Sequence, residues 1–132
     1  MISSFSIPLR VCIIDAGIID TGRGYSITIS GGTRPHIGAV AFAVPHPGLG
    51  DKNSPSATVS MIQAPGHRDG LIAVPVAEAL AKCTGEIVTV AAGVHIGDPD
   101  AYTASVEAIQ EIIDNIPFVI KKIVQAINSK PG

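Results

Sequence analysis

The chain has no tryptophan, and aromatic residues make up only 4% of its 132 positions. Its core must therefore be built from aliphatic side chains. Any ring stacking is limited to Phe5, Tyr25, Phe42, Tyr102 and Phe118. Charge is scarce too, at 15% of residues with a formal net charge of −2. The nine Lys and Arg are scattered, with no basic patch interleaved with aromatics, which argues against nucleic acid as the main partner. A thinly charged surface is also what a subunit interface uses. Only two cysteines occur, Cys12 and Cys83, each in an apolar pattern, and they read as buried free thiols of a reducing compartment. No apolar run reaches the ~20 residues needed to span a bilayer. The start, MISSFSIPLR, lacks the basic-then-apolar order of a secretory signal. These absences lead us to expect a cytoplasmic protein with one domain over residues 1–132.

What is present is well punctuated. LRVCIIDAGIID (9–20) and the alternating YSITIS (25–30) flank the turn TGRG and read as a hairpin. GAVAFAV (38–44) is a third strand, with Val40, Phe42 and Val44 on one face and Ala39, Ala41 and Ala43 on the other. The alanine face lets a helix pack close. PHPGLGDKNSP (45–55) is a turn-rich loop, with His46 on its surface, and ATVSMIQ (57–63) is a fourth strand. This meander predicts mainly antiparallel pairing.

The period then changes. Ile72, Val76, Ala79, Leu80 and Cys83 recur at helical spacing up to Gly85, with Asp69 placed to cap the start and Pro75 awkwardly inside. EIVTVAAGVHI (86–96) is apolar on both faces, as a buried central strand is. Asp98-Pro99 signals a further helix start, followed by a stripe of Ala101, Ala104, Ala108, Ile109, Ile112, Ile113 and Ile116, with Glu107, Glu111 and Asp114 facing away. Pro117 interrupts it, and Val119, Ile120, Ile123, Val124 and Ile127 continue the stripe in a last helix. The expected class is α+β: about five mainly antiparallel strands with helices on one face.

Three short segments draw chemical interest. GGTRPHIG (31–38) can be a plain turn or a backbone cradle whose amides, with Arg34, hold an anion. GHRD (66–69) opens a helix, where His67 and Arg68 favour an anion or Asp69 merely caps. His95 ends the buried strand and is either a ligand contact or a hydrogen-bonded structural residue. Together His36, His67 and His95 offer a metal set for a small metal-dependent enzyme, although no HxH or HxxxH spacing supports it. No nucleophile elbow or paired carboxylates are present, which weighs against catalysis.

GGTRPHIG, HRD opening a helix and AGVH (92–95) ending a strand together resemble the small D subunit associated with bacterial gallate decarboxylase, a family of prenylated-flavin chaperones. The resemblance covers roughly residues 10 to 115. The chain departs from the pattern in the loop 45–55, at Pro75 and in the Ile-rich helix after Pro117. The resemblance implies a fold similar to proteasome assembly chaperones, a homodimer and a non-catalytic role. It implies binding of reduced prenylated FMN and its loading into a prenyl-FMN-dependent decarboxylase. The cofactor-binding residues it implies are Gly31, Gly32, Thr33, Arg34, His36, Gly38, His67, Arg68, Asp69 and His95, with no catalytic or metal residues. The other reading is an assembly protein that binds no flavin.

Overall fold

The computed structural model describes residues 2–66, 68–96 and 106–129, the last stretch as backbone alone for 106–109. The strands are β1 (Ile2–Pro8), β2 (Ile13–Asp20), β3 (Gly24–Gly32), β4 (Ala39–Pro47), β5 (Pro55–Gln63) and β6 (Ile87–His95). The helices are α1 (Gly70–Thr84), α2 (Val106–Asp114) and α3 (Ile116–Asn128). All six strands form one sheet in the order β1-β2-β3-β6-β4-β5. The α+β class is present, with two corrections to the sheet, and the loop expected over 45–55 is shorter, since β4 runs to Pro47 and β5 starts at Pro55.

The first correction is a sixth strand. β1 alternates as β2 does, with Ile7 buried, Phe5 partly buried and Ser4 and Ser6 exposed. It pairs antiparallel with β2 through Phe5↔Ala16 and Ile7↔Ile14. Only two apolar side chains, Phe5 and Ile7, mark its inner face, a weak periodic signal among the serines of this segment. The second correction is that the strands are not a simple meander. β6 inserts between β3 and β4, parallel to β3 and antiparallel to β4, while every other pairing is antiparallel. A strand apolar on both faces belongs at the centre of a sheet, where both faces are covered.

The register defines one continuous inner face. Ile14, Ala16 and Ile18 of β2 lie beside Gly31, Ile29 and Ile27 of β3, then Val94, Ala92 and Val90 of β6 and the alanines of β4. Ala39, Ala41 and Ala43 are at most 2% exposed, and α1 packs on them with Ala73, Ala77 and Ala81 equally buried. Small residues on both elements let the backbones approach closely. Gly85 ends α1 in the left-handed conformation (φ 70°), donating its N–H to the Ala81 carbonyl at 2.9 Å.

Several side chains fall elsewhere than expected. The buried stripe of α1 is Ile72, Ala73, Val76, Ala77, Leu80 and Ala81; Cys83 lies off it and is exposed, and Cys12 is half-buried. Pro75 is the sixth residue of α1, which nonetheless runs as one helix. His46 belongs to β4, half-buried, with Nδ1 donating to the Pro47 carbonyl and Nε2 meeting Thr58 Oγ1, both at 2.8 Å. Glu111, expected to face away, is only 14% exposed and accepts a 2.6 Å contact from Arg10. α2 stops at Asp114, and Pro117 sits in the first turn of α3, whose Val119, Ile123 and Ile127 are buried. Asp98, Pro99, Ala101 and Ala104 lie outside the described residues, as do the side chains of Glu107, Ala108 and Ile109. No described helix is long and apolar enough to cross a membrane.

Because the alanine-on-alanine contact has no spare volume, Ala41→Leu is expected to destabilise the fold by ~1–3 kcal/mol in urea unfolding. Val44→Leu, on the open face of the same strand, should change stability little. Equal effects would show that the β4–α1 contact is not tight.

Candidate functional site

The chain leaves β3 at Gly32, whose φ of 79° is left-handed and whose missing Cβ makes room for the His95 carbonyl. Thr33 then ties itself to that carbonyl twice, through its N–H at 2.8 Å and its hydroxyl at 3.3 Å. The segment crosses the end of β6, and the His36–Ile37 peptide passes directly over Gly93, where any Cβ would collide with the His36 carbonyl. At Gly38 the N–H donates to the Ala92 carbonyl (2.9 Å), and the Gly38 carbonyl accepts from Ala64 N–H (2.8 Å). The loop is thus laced over the AGVH end of β6.

Asp69 completes the knot. Its Oδ2 lies 3.0 Å from His36 Nε2, and its Oδ1 accepts the Val94 N–H at 3.0 Å. His36 Nδ1 is 2.8 Å from the Arg34 carbonyl, which can only accept, so that nitrogen carries a proton. The other ring nitrogen, Nε2, meets the Asp69 carboxylate, so both edges of the ring face acceptors within the protein. Gly38 is also required here, because a Cβ would overlap the Asp69 carboxylate. One buried carboxylate therefore joins the β3–β4 loop, the start of α1 and the end of β6.

The three motifs accordingly converge within one chain. Gly31, Gly32, Thr33, His36, Gly38, Asp69 and His95 gather at one end of the sheet, with Asp69 and His95 at 6% and 7% exposure. Arg34 and Arg68 are exposed, and His67 lies outside the described residues. Two expectations change. Asp69 occupies the capping position of α1, yet its side chain makes no cap bond, because it turns to His36 and Val94. The first amides of α1 are already engaged: Gly70 N–H by Gln63 Oε1 (2.8 Å), Leu71 by the Arg68 carbonyl and Ile72 by the Asp69 carbonyl (both 3.0 Å). The helix start is therefore a sealed terminus rather than an anion cradle. Among the described residues, no three His, Cys, Asp or Glu side chains cluster as metal ligands.

Two clefts flank the knot. One, of about 760 Å³, is lined by Gly31, Gly32, Thr33 and Pro35 of the motif and by Val11, Cys12, Ile13 and Ile96 beside them, with Ser6 and Asp15 also in its lining. Ser6 Oγ donates to Asp15 Oδ1 at 2.6 Å. The other, of about 580 Å³, lies between β5 and α1 and contains Arg68. Val11, Cys12, Ile13, Asp15 and Ile96 had no motif to single them out. The usable signal was the alternation of β2, which sends Ile13 and Asp15 to the face opposite the core. Burial, and secondarily the charge of Glu111, pushes the Cys12 thiol above its usual range, so it lines the cleft protonated and not as a nucleophile.

Removing the carboxylate leaves Val94 N–H and His36 without their acceptor. Asp69→Ala is therefore expected to cost ~2–4 kcal/mol in denaturant unfolding and to speed hydrogen exchange at Val94. Unchanged exchange at Val94 would contradict the bridging role.

Residues 10–128 match the family model described as a prenylated flavin chaperone LpdD-like domain. No individually curated protein matches the chain.

Proposed function

The chain belongs to the prenylated flavin chaperone LpdD-like family, and from that premise we propose that it binds reduced prenylated FMN in the cleft beside GGTRPHIG and delivers it to an apo-decarboxylase in the cytoplasm. The observation that carries this reading is a cleft of about 760 Å³ lined by Gly31, Gly32, Thr33 and Pro35 of GGTRPHIG, the segment that Asp69 ties to the start of α1 and the end of β6. That size lies within the ~300–1,000 Å³ of small-molecule sites.

The lining suits such cargo. Val11, Ile13, Pro35 and Ile96 give aliphatic walls for a flat ring, in a chain with few aromatics to stack on it. Gly31 and Gly32 shape this lining by admitting the Ile13 and His95 carbonyls where a Cβ would stand. Arg34, exposed between the cleft residues Thr33 and Pro35, faces the phosphate, while Asp15 repels it and orients the cargo with its anionic end toward Arg34. His36, Asp69, Gly38 and His95 act behind this wall by holding its shape, through the His36–Asp69 and Asp69–Val94 contacts and the close approaches at Gly38 and His95. Arg68 lines the other cleft, between β5 and α1, and His67 joins the proposed site by its place in the GHRD motif alone. A chaperone must release what it carries, so micromolar affinity, about −8 kcal/mol, is the expected scale.

Anaerobic titration with reduced prenylated FMN should give saturable binding, and Arg34→Glu should weaken it about tenfold or more by reversing the charge met by the phosphate. Absence of saturable binding, or equal binding by the variant, would remove this reading. A flavin-independent assembly role would then stand in its place.

The outer face of the sheet supports the homodimer. Val40, Phe42, Val44 and Ile62 are all exposed there, among neutral Ser26, Thr28, Ser60 and Thr89 on neighbouring strands. Such an uncharged apolar face suits a second copy of itself. Sedimentation should find a dimer for the native chain and a monomer for Phe42→Asp; a native monomer would exclude the assembly.

A further inference from the structure

β5 is an edge strand of nine residues, PSATVSMIQ, with no charged side chain and a proline only at its first position. Edge strands of this length are ordinarily blunted by lysines, internal prolines or bulges, because their unpaired amides recruit other strands. The β4–β5 ladder shows which groups are open. Ala64 N–H bonds to the Gly38 carbonyl and Gly48 N–H to the Ser54 carbonyl, so the even-numbered residues of β5 are those bonded to β4. Ala57, Val59, Met61 and Gln63 therefore turn their N–H and C=O groups to the open edge.

The same odd-numbered residues carry their side chains on the α1 face of the sheet, since they pair with Ala39, Ala41 and Ala43. Beside them lies the second cleft, lined by Met61, Gln63, Gly70, Leu71, Val74 and Pro75. Leu71 and Met61 are 50% and 43% exposed in it. Arg68 is the only charged residue of the lining, and none of the described residues forms an ion pair with it. One turn beyond the cleft on α1, Glu78 and Lys82 neutralise each other at 2.8 Å.

We propose that this edge is a docking site for an extended segment of a partner protein, which adds to the sheet as a seventh strand beside β5. Its alternate apolar side chains enter the cleft between β5 and α1, and a carboxylate on it meets Arg68. Main-chain bonds to Val59 and Met61 supply affinity, and the cleft and the arginine supply selectivity. The proposal stands on the edge geometry and does not depend on flavin binding.

The test is fluorescence anisotropy with two labelled peptides of alternating threonine and valine, one flanked at both ends by glutamate and the other by lysine. The native chain should bind the glutamate form about three- to tenfold more tightly, as befits an exposed charge pair. Arg68→Glu should reverse that preference. Met61→Pro removes an N–H that makes no bond to β4, a position where edge strands tolerate proline; with circular dichroism unchanged, it should bind neither peptide. Binding of neither peptide by the native chain, an unreversed preference in Arg68→Glu, or a folded Met61→Pro that binds normally would each overturn the proposal. So would a native dimer that Met61→Pro dissociates, which would place a second copy on this edge.

Discussion

The Asp69 carboxylate is the constraint on which the rest of the site depends. A carboxylate at 6% exposure has lost most of its water and must be repaid by donors, and it finds them on two other elements: the His36 ring and the Val94 amide. Those bonds close the β3–β4 loop over the end of β6 and bring the start of α1 to the same place. The three glycines around it serve this closure. Gly38 admits the carboxylate, Gly93 admits the loop backbone, and Gly32 turns the chain so that Thr33 reaches the His95 carbonyl.

This arrangement separates holding a shape from holding a ligand. GGTRPHIG invites the idea of amides waiting for an anion, yet the Thr33 and Gly38 N–H groups and both nitrogens of His36 are engaged inside the protein. What the knot presents outward is a wall: Gly31, Gly32, Thr33 and Pro35, with Arg34 next to them in sequence and the aliphatic Val11, Ile13 and Ile96 in the same lining. A rigid wall of low polarity beside aliphatic groups suits a carrier, which needs a preformed surface without the many bonds that would slow release.

Much of this was legible before any coordinates. The alternation of β3 and β4, the doubly apolar β6 and the stripe of α3 follow from side-chain period alone, and the alanine face of β4 foretold the close helix. Pairing order was not legible, because alternation marks the faces of a strand and not its neighbours. Only the structure shows β6 crossing back to lie parallel to β3. β1 was missed since serines dilute its apolar face. At the site, spacing marked Asp69 as a helix cap, and only the tertiary partners His36 and Val94 reveal its other use. The aliphatic part of the cleft lining had no motif, because it resembles any half-buried strand.

The central claim, that cargo lies against the GGTRPHIG wall, is tested most directly by following backbone amide resonances during anaerobic titration with reduced prenylated FMN. The account predicts shifts concentrated at Gly31, Gly32, Thr33 and Arg34 and, on the neighbouring strand, at Ile13 and Asp15. Shifts confined to β5 and α1, or none at the motif while the cofactor binds, would contradict it.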